Sequence, residues 1–190
     1  MATDVEICSK ALILVGDKPI ASLTEQTTRA AVCNNLYPLA KRDVLRAHLW
    51  NCAIKRVQLP ALAGVPAYGW AHWFAKPGDW LRLIDVGNCG GDDYAFEGNR
   101  ILANLTTLQL RYVADVTEGV WDSALTDVMI KRMAADLAYP ITKSTSLMQV
   151  KQQEYQAAMR IAKAIDGQEN PPEQFGDSPF IAARGGANYA

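Results

Sequence analysis

Residues Thr27 to Arg56 read TTRAAVCNNLYPLAKRDVLRAHLWNCAIKR, and this stretch decides the fold. Ala30, Cys33, Leu36, Tyr37, Ala40, Val44, Ala47 and His48 recur at three- and four-residue steps, which predicts a helix with one buried face. Thr27 or Thr28 is placed to cap it by accepting a backbone N–H. After Trp50 the period changes: Ala53-Ile54-Lys55-Arg56-Val57-Gln58-Leu59 alternates as a strand does. We therefore expect a spine helix over 27–50 that hands the chain to a sheet. Pro38 removes one hydrogen bond inside that helix and predicts a bend near Asn34-Asn35.

Working outward, Thr3 or Asp4 caps a first helix over 4–15, with Val5, Cys8, Leu12 and Val15 on one face and a stop at Gly16. Downstream, apolar runs broken by Pro60, Pro66, Pro77-Gly78-Asp79, Gly87 to Asp93 and Gly98-Asn99 predict a β region over 53–116, arranged as an antiparallel meander. Phe96 to Ile101 reads as a hairpin around Gly98-Asn99. Two further helices follow, over 123–141 and 146–166. Asp122 or Ser123 caps the first, Ser146 with Gln149 caps the second, and Gly167 ends it. Their short connection predicts an antiparallel hairpin. On the last helix two apolar stripes are visible: Leu147, Val150, Ala158, Ile161 and Ile165 form one, and Met148, Tyr155, Met159 and Ala162 the other.

The expected class is thus α+β: mainly helical, with the β meander inserted and one domain over residues 1–167. Beyond it, 168–190 changes composition, with prolines and glycines that forbid a continuous helix. Phe175, Phe180, Ile181 and Tyr189 are spaced along this tail, so an extended C-terminal arm ordered by a partner is the expectation.

A formal charge of -1 gives the chain no global attraction to nucleic acid or an anionic membrane. Any such contact has to be local, and Lys41, Arg42, Arg46, Lys55 and Arg56 are the most basic cluster. No apolar run reaches the roughly 20 residues that span a bilayer, and acidic Asp4 and Glu6 stand where a signal sequence carries positive charge. A cytosolic, unprocessed chain is expected. Cys8, Cys33, Cys52 and Cys89 are scattered, without the paired spacing of a zinc site, and read as reduced, buried hydrophobes. His48 and Cys52, four residues apart, do not complete a ligand set. Asp92, Asp93 and Glu97 sit in a loop without the EF-hand spacing. No Walker loop, H-E-x-x-H or G-x-S-x-G is present. No catalytic residue, metal or cofactor is therefore assigned, and an enzyme is not expected.

The order of signals resembles the head-to-tail adaptor, or tail tubular protein A, family of tailed bacteriophages, especially those with short tails. The resemblance is carried by Ala11-Leu12 to Leu14-Val15-Gly16-Asp17-Lys18-Pro19-Ile20 with Ser22-Leu23, Ala30 to Cys33, Tyr37-Pro38, Arg42-Asp43, Leu45-Arg46 and His48 to Trp50. It continues through Ala53 to Arg56, Leu59, Trp73, Pro77 to Asp79, Leu81-Arg82, Leu110 to Val113 and Asp166-Gly167-Gln168-Glu169, and so spans about residues 5 to 169. It implies a structural virion protein at the head-tail interface, assembled in the host cytoplasm. Its copies would form a ring, usually of twelve, joining the portal protein to the tail nozzle or another tail protein. DNA would pass through the lumen without sequence-specific binding. The implied portal-binding arm carries Phe175, Phe180, Ile181, Arg184 and Tyr189, and the β region would face the tail with the loop of Asn88, Asp92 and Asp93. Lys41, Arg42, Arg46, Lys55 and Arg56 would then serve inter-subunit or channel contacts. Two alternatives stand beside it: a non-viral nucleic-acid-binding module built on the basic cluster and the tryptophans, and a tail-associated cell-wall hydrolase using Asp92, Asp93 and Glu97.

Overall fold

The computed structural model describes residues 2–89 and 93–170. Four helices and six strands alternate in blocks. Helices α1 (Asp4–Leu14) and α2 (Thr28–Arg46) come first, then strands β1 (Ile54–Pro60), β2 (His72–Ala75), β3 (Trp80–Val86), β4 (Tyr94–Glu97), β5 (Arg100–Ala103) and β6 (Thr107–Ala114), then α3 (Ser123–Thr142) and α4 (Thr145–Glu169). The class is α+β.

Helix starts follow their caps. Thr3 accepts from the Glu6 N–H while Glu6 returns the bond to the Thr3 backbone, closing a capping box on α1. Thr27 caps α2 and Asp122 caps α3, each accepting from the backbone three residues on. Ends depart from expectation. The spine does not reach residue 50: it stops at Arg46, because the Trp50 side chain folds back and its indole N–H donates to the Val44 carbonyl at 2.9 Å. That anchor buries Trp50 and turns the chain through Asn51–Ala53 into β1. It also leaves Ala47 exposed and takes His48 off the helix. α2 runs through Pro38, which sits on its exposed side.

α3 runs through Pro140 to Thr142, where Lys143 takes the left-handed conformation and closes the helix on the Tyr139 carbonyl. Ser144, rather than Ser146, caps α4 by accepting from Leu147 N–H. Gly167 does not end α4, which continues to Glu169. One mid-helix glycine costs about 1 kcal/mol in propensity, and the contacts of the neighbouring Asp166 hold this turn.

The β region is not one meander. It forms two three-stranded antiparallel sheets with orders β1-β6-β3 and β2-β5-β4. Length explains the partition: the seven- and eight-residue strands β1, β3 and β6 pair with one another, and the four-residue strands keep to themselves. Only the β4–β5 hairpin joins neighbours in sequence, with Phe96 opposite Ile101 and Gly98 in the positive-φ conformation its turn needs. Side chains of both sheets meet inside. Trp80 stacks on Tyr112 at 5.3 Å and leans on Phe96 at 5.9 Å, while Phe74, Ile101, Leu108 and Leu110 enter a single buried cluster with the helices.

α3 is the centre of the helical layer. Leu125, Val128, Met129, Met133 and Leu137 are buried as expected, whereas Ile141 is only half-buried. α1, α2 and α4 all pack on α3. α4 runs antiparallel to it: Arg132 of α3 lies over the Tyr155 ring, while Asp127, one turn earlier, shares a groove with Ile161 and Ile165.

Candidate interaction surfaces

α4 carries the feature that distinguishes this surface. Its 25 residues make a rod of about 37 Å. Its two stripes do not divide cleanly: Met159 and Ala162 of the second are buried with Ala158 of the first, Tyr155 and Leu147 pack beside the core, and Met148 stays exposed. The rest of the first stripe lies in solvent. Val150, Ile161 and Ile165, spaced eleven and four residues apart, fall within one face and remain 49%, 62% and 40% exposed. Ile161 and Ile165 line a groove of about 250 Å³ against the start of α3, rimmed by the Asp127–Lys131 ion pair. An amphipathic helix normally leaves its outer face polar, so these exposed apolar side chains make a candidate interaction surface.

The end of α4 is locked to the α2–β1 corner by Asp166, the one buried charged residue among those described. One carboxylate oxygen lies 3.1 Å from His48 Nε2, the other accepts from the Asn51 backbone N–H at 3.0 Å, and the Asn51 amide donates to the Asp166 carbonyl at 2.7 Å. His48 stands edge-on to Trp50. Its partner is thus a carboxylate rather than Cys52. Among the described residues no three His, Cys, Asp or Glu side chains gather as a metal set.

The five basic residues singled out from sequence do not form one patch. Lys41 reaches Asp115 and Glu118 at 3.4 and 3.2 Å, Arg42 reaches Asp115, and the Tyr37 hydroxyl donates to Glu118, sealing α2 to the segment after β6. Burial, with the Glu118 charge added, pushes the Tyr37 hydroxyl well above its ordinary range. Arg46 donates to the Leu81 carbonyl of β3. Lys55 pairs with Asp79 at 2.6 Å, and Asp79 also accepts from the Tyr112 hydroxyl. Burial alone would raise the Asp79 carboxyl, but the bonds from Lys55 and Tyr112 outweigh it and hold it below its usual value. Tyr112 is pushed up to about 12 by burial and by Asp79. Arg56 alone of the five makes neither an ion pair nor a side-chain hydrogen bond among the described residues; it is exposed on β1, opposite Arg111 in the β1–β6 register.

Asn88 is structural: its amide donates to the Thr107 carbonyl and accepts from the Gln109 N–H, clamping the turn after β3 onto β6. Asp93 is exposed just before β4. Asp92 and the arm residues Phe175, Phe180, Ile181, Arg184 and Tyr189 lie outside the described residues. Cys8 and Cys33 are fully buried side by side between α1 and α2, where a hydrogen bond to Cys33, with burial, drives the Cys8 thiol far up. Cys52 and Cys89 are half-buried and equally free.

Sequence reasoning saw both α4 stripes but not which of their residues would stay open. It counted Asp166 in the resemblance but gave it no structural role; its signal, a lone acid between Ile165 and Gly167 on the packed side of an amphipathic helix, is present in the sequence. No family model matches the chain, and no curated protein matches it.

Proposed function

We propose that the protein is a structural virion component, a head-to-tail adaptor whose copies form a ring between portal and tail around the DNA exit channel. The observation that carries this reading is the unpartnered apolar stripe Val150, Ile161, Ile165 on the longest helix. A helix that buries some of its apolar side chains on its own chain and exposes others is built to pack against a copy, and head-to-tail packing of unlike patches closes into rings. The resemblance to the adaptor family points the same way. In this reading the C-terminal arm, with Phe175, Phe180, Ile181, Arg184 and Tyr189, anchors on the portal protein. The β region faces the tail, and DNA passes through without sequence-specific contacts.

The nucleic-acid alternative loses ground, because Lys41, Arg42, Arg46 and Lys55 each hold an acceptor of their own chain and offer little free charge to phosphates. The hydrolase alternative gains no support from Asp93 and Glu97, which are both exposed, where a catalytic carboxylate pair calls for a partly desolvated cleft. The test is assembly. Light scattering of the protein alone, then with portal protein, should give a multi-subunit ring that captures the portal. Deleting residues 170–190 should abolish capture. A protein that stays monomeric in both measurements refutes the adaptor role.

A further inference from the structure

From Val57 to Ala75 the sequence holds no Asp, Glu, Lys or Arg, in a chain that is 21% charged. Most of that run is the connection over 61–71, which carries the chain from the β1-β6-β3 sheet to the β2-β5-β4 sheet and is well beyond the few residues of a hairpin loop. Its base is pinned. The Leu62 N–H donates to the Trp73 carbonyl at 2.9 Å, the Trp73 indole N–H to the Ala63 carbonyl at 3.2 Å, and the Ala71 N–H to the Asn104 side-chain carbonyl at 2.9 Å. The Arg100 guanidinium covers the Trp73 ring at 3.9 Å. The tip is held away from the core: Val65 is 68% and Tyr68 88% exposed. An uncharged connection, fixed at its base and apolar at its tip, makes a second candidate interaction surface beside the one on α4.

The two surfaces are unlike and complementary. The groove between α4 and the start of α3 is a hollow of about 250 Å³ lined by Ile161, Ile165, Ala124, Ala158 and Ala162, where the loop is a protrusion. The charges at its rim, Asp127 and Lys131, satisfy each other, and the loop brings none, so closing one surface on the other leaves no ion unpaired. Tyrosine offers an apolar ring for the isoleucines and a hydroxyl for the polar rim. Within one chain the surfaces do not meet, since Tyr68 and Ile161 both stay exposed. A protrusion matched to a hollow elsewhere on the same molecule gives a head-to-tail contact between copies, the kind that closes into rings.

We infer that the 61–71 loop of one copy inserts Val65 and Tyr68 into the Ile161–Ile165 groove of the next. The inference rests on the ring reading and names the counter-surface for the exposed isoleucines of α4. The contact covers on the order of a few hundred Å², so it sets the register between neighbours and leaves the remainder of each junction to other surfaces.

Exchange of charge across the contact tests it, with sedimentation of the full-length protein over a range of concentrations, alone and with portal protein. Y68K and I161E should each weaken self-association about tenfold, and the chain carrying both should recover most of it, because every junction then sets a lysine against a glutamate. Tyr68 is so exposed that Y68K should melt with the native protein, which keeps its result independent of folding. Native association in Y68K overturns the loop–groove contact and leaves the ring reading standing. If that same protein no longer captures portal or tail protein, the loop belongs to the unlike neighbour. Absence of recovery in the doubly substituted chain also overturns the contact. A native protein that stays monomeric throughout overturns the contact and the ring together.

Discussion

Helices α3 and α4 are separated by two residues and are similar in length, yet α3 buries nine of its 20 residues and α4 four of its 25. α3 is touched by α1, α2 and α4; α4 rests mainly on α3 and leaves Val150, Ile161 and Ile165 to solvent. The difference separates two roles that amphipathicity alone merges. An apolar side chain on α3 holds the monomer together, whereas Val150, Ile161 or Ile165 on α4, largely exposed, contributes little to the monomer and, in the adaptor reading proposed above, is kept for an encounter outside it.

The largest test of that division is Met133→Ala in α3. Met133 is fully buried, and its truncation should cost about 3 kcal/mol through lost transfer energy and the cavity left behind. Urea unfolding measures it; a loss below about 1 kcal/mol would mean that α3 is not the centre of the core.

Asp166→Ala comes next, because it removes the one buried charged side chain among the described residues, which ties α4 to the α2–β1 corner. The Asn51 N–H and His48 would lose their acceptors, at a cost of about 2 kcal/mol. Hydrogen exchange should show the last turns of α4 opening while α3 stays protected. Uniform protection across both helices would contradict the assignment of Asp166 as a local lock.

How far these roles were legible in the sequence depends on distance along the chain. Thr3, Thr27 and Asp122 cap helices through atoms three residues away, and those starts could be read directly. The end of α2 could not, because it is fixed by a tryptophan side chain folding back rather than by a glycine or proline. Strand existence was legible from alternation, but the pairing of β1 with β6 spans the entire β region, and nothing local announces it. The same holds for the basic cluster. Lys41 and Arg42 look free in a window of about ten residues, and their partners Asp115 and Glu118 lie far downstream. For α4 the sequence presents two stripes of comparable strength, and only docking on α3 decides which of their side chains stay exposed.

A smaller effect separates sheet from helices. The Asp79 carboxyl is held below its ordinary value, so its contribution is complete above the unfolded value of about 4 and is lost as pH falls through the lower folded value. Asp79→Asn should therefore cost about 1 kcal/mol at neutral pH and almost nothing near pH 2, with the side chain's partial exposure keeping the figure small. Urea midpoints at the two pH values report the difference. An equal cost at both would remove Asp79 as the source of acid sensitivity in the β region.

The smallest expected effect on stability is the sharpest on function. Replacing Ile161 and Ile165 together by Glu touches side chains already 62% and 40% exposed, so the unfolding free energy of the monomer should move by no more than about 0.5 kcal/mol. Self-association should nonetheless disappear. Each isoleucine has apolar surface left to bury, worth about 1 kcal/mol at the usual area coefficient, and a charge pressed into that contact adds a desolvation penalty of several kcal/mol. Because a ring uses the same contact at every junction, the penalty recurs at each copy and closure fails as a whole. Sedimentation of the native and doubly substituted proteins over a range of concentrations, with thermal melts on the same samples, reads both quantities at once. Unchanged oligomers with unchanged melting would show that the stripe is spare surface, and the contrast between α3 and α4 would then say nothing about assembly.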